Sequence, residues 1–499
     1  MELQFQVNKM PCLQQLKGGI QTQEQTQEFR LSDGMPDVGR VLSAWGQLIV
    51  RGKEWHGDSV GVSCGVMVTI LYTPEDGSQT QCVETWIPVS TKWDIPDSGQ
   101  DGRIVCSGGV KSVDARILSG RKMMVRATVC MTMQTYISAE TEFYQPPQLP
   151  EDIQLRTKIY PVCMPQETGE KAFMLDEELT LPGSVPVPEK LVRCSLQPEI
   201  TDQKVLGDKA VFRGNGLLHI LYRTAEGALA SWDFEIPFSQ YTELEREYAH
   251  QAQVQILPFV TALETELADG GKVRLKAGLS GQYVVYDTRE ISVVEDAYSP
   301  DRAVIVHQTS AELPAVLERQ CQPVRVEQRA LFGSSRVADI AFYPGCPRGQ
   351  RRVEEMSIEL PGVFEVLYYD TDGVLQSGTV HYQQDMLLQA AENTELFMWF
   401  EPKGKPQAVT GEESTALQAE ILLHTLTVAT EALPMVTGLT VGEQAEKDPA
   451  RPSLILRRAG HEDLWTIAKK TGSTVSAIQK ANDLQDEPDP DRMLLIPIL

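Results

Sequence analysis

Three observations predict a mostly β chain, with tandem antiparallel β-sandwich-like repeats followed by a small β-α-α-β module. They are a motif recurring at one domain length, period-two alternation inside each copy, and a change to helical periodicity in the last 47 residues. The motif is aliphatic-Leu-Tyr-x-x-x-acid-Gly. It reads Ile70-Leu71-Tyr72 to Asp76-Gly77, then Ile220-Leu221-Tyr222 to Glu226-Gly227, then Val366-Leu367-Tyr368 to Asp372-Gly373, so its tyrosines stand 150 and 146 residues apart. The same 150-residue register relates Pro11 to Pro161, Leu31 to Leu181, Gly57-Asp58 to Gly207-Asp208 and Tyr136 to Tyr286.

Within the first copy Val66, Val68, Ile70 and Tyr72 alternate with Met67, Thr69 and Leu71 and run into Asp76-Gly77, the pattern of a strand entering a hairpin turn. Leu218, Ile220, Tyr222 and Phe364, Val366, Tyr368 occupy the corresponding face and are expected on a core. The opposite face carries Thr69, His219 or Glu365 at its centre and is expected to meet water at least in part. Alternating runs at Met123–Tyr136, Val273–Tyr286 and Thr415–Val428 supply later strands. Units of this length bury two apolar sheet faces most simply by packing them together. Pro/Gly punctuation and the offsets divide the chain into repeat 1 (1–146), repeat 2 (147–298), a more diverged repeat 3 (299–437), a polar tether (438–452) and a terminal module (453–499). Such an array suits several modest binding faces along an extended molecule.

The terminal module reads as a strand at Leu454–Arg458, a helix carrying Leu464, Trp465, Ile467 and Ala468, a second helix capped by Thr474 and ending at Asn482, and a strand at Met493–Pro497. Trp465 and the apolar stripe are expected in its core. In Gly460, Leu464-Trp465-x-Ile467-Ala468, Val475-x-x-Ile478, Asn482-x-Leu484 and Leu495-Ile496-Pro497 the segment resembles a LysM domain. That resemblance implies a ligand groove between two loops, here Gly460, His461, Glu462, Asp463 and Asn482, Asp483, Leu484, which binds N-acetylglucosamine polymers in many family members. The first loop has one residue more than the frequent Gly-Asp-Ser/Thr-Leu and no hydroxyl, which favours a protein partner over a glycan.

The rest of the sequence offers little chemistry. It has no phosphate loop, no H-E-x-x-H and no nucleophile elbow, and its seven histidines are scattered, so no catalytic, cofactor-binding or metal-ligating residues are assigned and no enzyme is expected. A net charge of −24 argues against nucleic acid and anionic lipid surfaces. No apolar run is long enough to span a bilayer, and Met1–Leu13 lacks the features of a secretion signal. Nine cysteines without a C-x-x-C pair are expected as ordinary thiols in a reducing cytosol.

Hairpin repeats followed by the LysM-like end resemble the SPOCS-domain spore coat morphogenetic proteins of the SipL type from endospore-forming Firmicutes. That resemblance implies a non-enzymatic scaffold of spore coat assembly on the mother-cell side of the forespore surface. Its LysM end would dock onto the coat-basement ATPase, and its repeats would recruit other coat proteins. A peptidoglycan- or N-acetylglucosamine-binding wall or cortex protein is the alternative, and a wall hydrolase carrying an anchor is a third reading.

Overall fold

Alternation at period two builds strands wherever one face can be buried, and here it does so along most of the chain. A computed structural model describes residues 1–332, 336–352, 355–389, 394–411, 414–444 and 452–499. After a short strand β1 (Glu2–Gln4), the first unit contains β2 (Gln6–Arg30), β3 (Val38–His56), β4 (Ser59–Pro74), β5 (Gln81–Asp94), β6 (Arg103–Ser119) and β7 (Lys122–Gln145). Strands β3, β4 and β5 form one antiparallel meander, while β7 returns between β2 and β6 to form a second sheet.

The second unit repeats this plan. It has β8 (Gln154–Leu179), the meander β9 (Pro188–Leu206), β10 (Lys209–Thr224) and β11 (Leu229–Glu243), then β12 (Gln253–Ala268) and the central β13 (Lys272–Tyr298). In the third unit these places are taken by β14 (Arg302–Ala330), a meander of β15 (Arg336–Pro344), β16 (Arg348–Arg351), β17 (Glu355–Tyr369) and β18 (Leu375–Gln389), and then β19 (Thr394–Thr410) and β20 (Thr415–Gln444). Strands β15 and β16 are two pieces of one rail beside β17.

The copies agree in their irregularities as well as in their strands. A β-bulge re-aims a strand by inserting one residue against its partner. Bulges fall at residue 16 in β2, 166 in β8 and 317 in β14, each opposite the same step of the returning strand. Further bulges at residues 39, 42, 51 and 111 recur at 189, 192, 201 and 261. The hairpin glycines Gly77, Gly227 and Gly373 all have positive φ (71°, 83° and 75°), a conformation that requires a residue without a Cβ for an unstrained turn.

Each unit encloses its own core between its two sheets, and Val66, Val68, Ile70, Tyr72, Leu218, Ile220, Tyr222 and Phe364 are all fully buried there. The units also share cores. Leu13 and Tyr136 meet Val284 and Tyr286 of the second unit and Val316 and Leu426 of the third. Cys12 and Phe143 meet Met164, Ile291, Leu313 and Met435 in the same way. The three units therefore close on one another as a pseudo-threefold ring, which corrects the expectation of an extended array. Long central hairpins with apolar side chains on both faces cannot be left exposed at every junction.

Closure also corrects the reading of the meanders' outer faces, because each meander lies against the next unit. Leu71, Leu221 and Leu367, on the faces expected to meet water, are buried. The seams follow one cyclic pattern. Cys82 of β5 donates to the Leu191 carbonyl of the second unit, the Leu229 amide donates to Tyr369 of the third, and Arg40 of the first unit donates to Gln376 of the third.

Residues 438–444, expected as the start of a tether, continue β20. There they pair with β14 on one side, and Gly438–Thr440 pair with β1 on the other. Residues 445–451 of the expected tether lie outside the described residues. The terminal module follows as β21 (Leu454–Arg458), α1 (Leu464–Thr471), α2 (Val475–Asn482) and β22 (Met493–Pro497), with β21 antiparallel to β22.

Candidate functional site

The terminal module owes its two short helices to caps. Asp463 accepts from the Thr466 amide and Thr474 from the Ala477 amide, each satisfying a donor that the first helical turn leaves unpaired. Gly472 and Asp483 end the helices in the left-handed region. Leu464, Ile467, Ala468, Ile478, Leu494 and Ile496 form the interior, a small core for an isolated domain of this size.

Part of this module is spent on contact with the second unit. Trp465 is only part-buried. Its indole N–H donates to Asp296 of β13 at 2.9 Å, and its ring meets Tyr298 edge to face at 4.8 Å, so the expectation of a purely internal core role is corrected. Lys469 also reaches Asp296 at 2.8 Å, Tyr298 donates to the Ser473 carbonyl at 3.1 Å, and Arg156 of β8 pairs with Asp463 at 2.9 Å. Burial would raise the Asp296 carboxyl, but the bonds from Lys469 and Trp465 hold it below its ordinary range. Asp296, Tyr298 and Arg156 carry no motif that sequence reasoning could have found.

The seven residues expected at the groove have unlike surroundings. Glu462 is held by Lys470 and Arg457, bonds that keep its carboxyl below the usual range, and Asp463 is committed to its cap and to Arg156. Asn482 spends its side chain within the module, donating to the carbonyls of Ile478 and Leu495 and accepting from the Leu495 amide. Leu484 packs at the edge of the core. His461 and Asp483 are exposed, and Gly460 has a positive φ of 65°.

A second concentration of charge lies in the seam between the second and third units. His219 of β10 lies 2.8 Å from Asp233 of β11 through Nδ1 and 2.9 Å from Asp339 of β15 through Nε2. Arg193 of β9 reaches the other oxygen of Asp339 at 2.9 Å, and Lys405 reaches Asp233 at 3.1 Å. Burial alone would lower the His219 pKa, but the charge of Asp339 and the bonds from both carboxylates outweigh it and push it up to about 9. Both ring nitrogens face a carboxylate, and three cations (His219, Arg193 and Lys405) share two anions (Asp233 and Asp339), so the arrangement holds the seam and leaves no free lone pair to move a proton. It borders a cavity of about 680 Å³ at the unit junction, which Trp399, Phe342 and Gly345 also line. Among the described residues no group of three or more His, Cys, Asp or Glu could hold a metal ion.

The cysteine expectation needs one correction: Cys130 of β7 and Cys346, between β15 and β16, form a disulfide. The other seven remain thiols.

Residues 188–268 match the family model described as SipL, SPOCS domain. This SPOCS span begins at the first residue of β9 and ends at the last of β12, so it comprises the meander of the second unit and the edge strand that follows. The corresponding strands of the other units are β3–β6 and β15–β19. No curated protein and no solved structure matches the chain. Among the described residues no helix is long and apolar enough to cross a membrane.

Proposed function

We propose that the chain is a non-enzymatic scaffold of spore coat assembly in an endospore-forming Firmicute, acting on the mother-cell side of the forespore surface. The SPOCS match carries this reading, because the matched strand set recurs in topology and bulge positions in the first and third units. On this reading all three units are SPOCS-like, with repeats at 1–146, 147–298 and 299–437, and the module at 453–499 is a LysM-like foot. The foot docks onto the coat-basement ATPase and the ring of β units recruits further coat proteins.

The foot's contact surface is centred on Gly460, His461 and Asp483, with Glu462, Asp463, Asn482 and Leu484 shaping it from behind. This follows from which side chains are already committed to bonds within the chain. The full-length protein, immobilised and exposed to sporulating-cell lysate and separately to purified peptidoglycan, tests the assignment. Retention of the ATPase, weakened in a His461→Ala, Asp483→Asn double variant with an unchanged thermal midpoint, is expected. Retention of peptidoglycan alone would favour the glycan-binding wall or cortex reading instead.

A further inference from the structure

The three seams of the ring differ in how they are tied. Residues 146–153 connect the first unit to the second and residues 299–301 connect the second to the third, whereas the seam between the third and the first is crossed only by Phe5, which joins β1, paired on β20, to β2 of the first unit. That last seam is held by β1 on β20, by the Gly46 amide donating to Tyr343 at 3.2 Å, by Arg40 donating to Gln376 at 2.7 Å, and by the Cys130–Cys346 disulfide, whose partners are 216 residues apart in sequence. At the position of the second unit equivalent to Cys130 stands Ser280, which donates to Glu170. Lys53 of the first unit reaches that carboxylate at 2.6 Å. The disulfide thus occurs at the seam where no linker joins consecutive units, and the equivalent seam uses an ion pair.

We propose that Cys130 and Cys346 form a redox-controlled lock on ring closure, made and broken by exchange with a low-molecular-weight disulfide such as oxidised glutathione. Cys130 lines the cavity of about 680 Å³ at the junction, and Gly345 and Pro347 on either side of Cys346 line it too, so a small reagent reaches the pair from there. The Cys130 thiolate attacks one glutathione sulfur. The glutathione S–S bond breaks, a mixed disulfide forms, and one glutathione thiolate leaves and takes up a proton. The Cys346 thiolate then attacks the Cys130 sulfur, closes the protein disulfide and expels the second glutathione. Two protein thiols lose two electrons and one small disulfide gains them.

The Thr22 hydroxyl, 3.0 Å from the Cys346 sulfur, donates to it and supports the thiolate in the open state. Three of the other thiols are poor nucleophiles. Burial pushes Cys64 up to about 12, and Cys106 and Cys194 to about 11, which limits exchange into wrong pairs.

The full chain is equilibrated in glutathione buffers from fully reduced to fully oxidised, alkylated after denaturation and peptide-mapped, with hydrogen exchange followed in parallel. Nine alkylated thiols are expected in the reduced limit and seven in the oxidised limit, the missing two being Cys130 and Cys346. Reduction is expected to speed exchange by about tenfold or more at the closing-seam amides of Phe5, which donates to the Thr437 carbonyl, of Gly46, and of Val441, which donates to the Met1 carbonyl. It is expected to leave the Cys106 amide, bonded to Gln282 across the seam between the first and second units, unchanged. Cys130→Ser should show the fast exchange in both limits, and the reduced wild type reports the same state if that variant does not fold. Nine thiols in every buffer, or equal closing-seam exchange in the two limits, would overturn the proposal.

Discussion

Replacing His219 by glutamine removes a cation held between two carboxylates while keeping a neutral hydrogen-bonding side chain of similar reach. Moving the imidazole pKa from 6.5 to about 9 corresponds to about 3 kcal/mol of preferential stabilisation of the charged form in the folded protein. The side chain is 21% exposed and Asp339 is 1% exposed, so solvent screens this interaction little. A retained neutral hydrogen bond returns about 1 kcal/mol in the variant, leaving a deficit of about 2 kcal/mol.

Because the folded pKa lies above the unfolded one, the wild-type advantage is fully present below pH 6.5 and is lost as pH rises through about 9. At pH 6 the variant should melt roughly 4–8 °C lower, taking the scale of a unit of about 150 residues. At pH 10 the two midpoints should converge to within a degree or two. Thermal unfolding followed by circular dichroism from pH 6 to 10 measures the gap. A gap of the same size at both ends would refute the charged-imidazole account and leave only a packing role.

Three further perturbations address other parts of the fold. Burial pushes the Glu365 carboxyl up to about 7, opposed by a bond from Thr379 and reinforced by Asp114 across the closing seam. Glu365→Gln should therefore match the wild type below pH 4.5 and exceed it in thermal midpoint above pH 7, and equal midpoints at pH 8 would contradict this. Trp465→Ala removes the indole bond to Asp296 and the edge contact with Tyr298, so the terminal module should tumble separately from the ring, seen as narrower NMR lines for residues 453–499; unchanged linewidths would show that Arg156 and Lys469 suffice. A methyl group at Gly214 would sit 2.0 Å from the Glu199 carbonyl oxygen, which cannot move aside as a side-chain tip can, so Gly214→Ala should cost about 2 kcal/mol or more in urea unfolding, whereas Gly19→Ala, with nothing within 4 Å, should cost well under 1 kcal/mol.

The sequence disclosed those features that depend on local periodicity. Val66 to Tyr72 alternates because β4 has a core on one side, and the acid-Gly pair ends that strand because the turn requires a positive φ. The terminal module was equally legible, since caps and helical spacing act within a few residues. Ring closure was not. Period two identifies a buried face but cannot say that the other face is buried by a different unit, and Leu71, Leu221 and Leu367 look like minor exceptions until the seams are seen. The Cys130–Cys346 pair was invisible for a related reason, because a separation of 216 residues carries no spacing signal. For the expected groove, the commitment of Asp463 and Asn482 to caps and bridges depends on partners in three dimensions that no local pattern shows.

Closure also explains why equivalent positions in the three copies diverge as they do. A residue facing its own unit's core meets similar surroundings, and Tyr72 and Tyr222 are both fully buried at that place, while Tyr368 of the more diverged third copy is half-buried against its core. A residue on the outer face of the central meander strand meets a different neighbour in each seam. His219 faces Asp339 and Glu365 lies near Asp114, while Thr69 borders a small pocket shared with Arg193 and Cys194. Identical copies would place the same charge in all three seams, and three identical seams would give the chain no means of fixing which unit follows which. Unlike groups at this one position make each seam complementary to a single neighbour, so the order of units around the ring is set by side-chain chemistry as well as by the linkers. A chain built this way presents three non-equivalent outer surfaces from one repeated fold, which is what the proposed scaffold role requires if distinct partners are to be held at fixed relative positions.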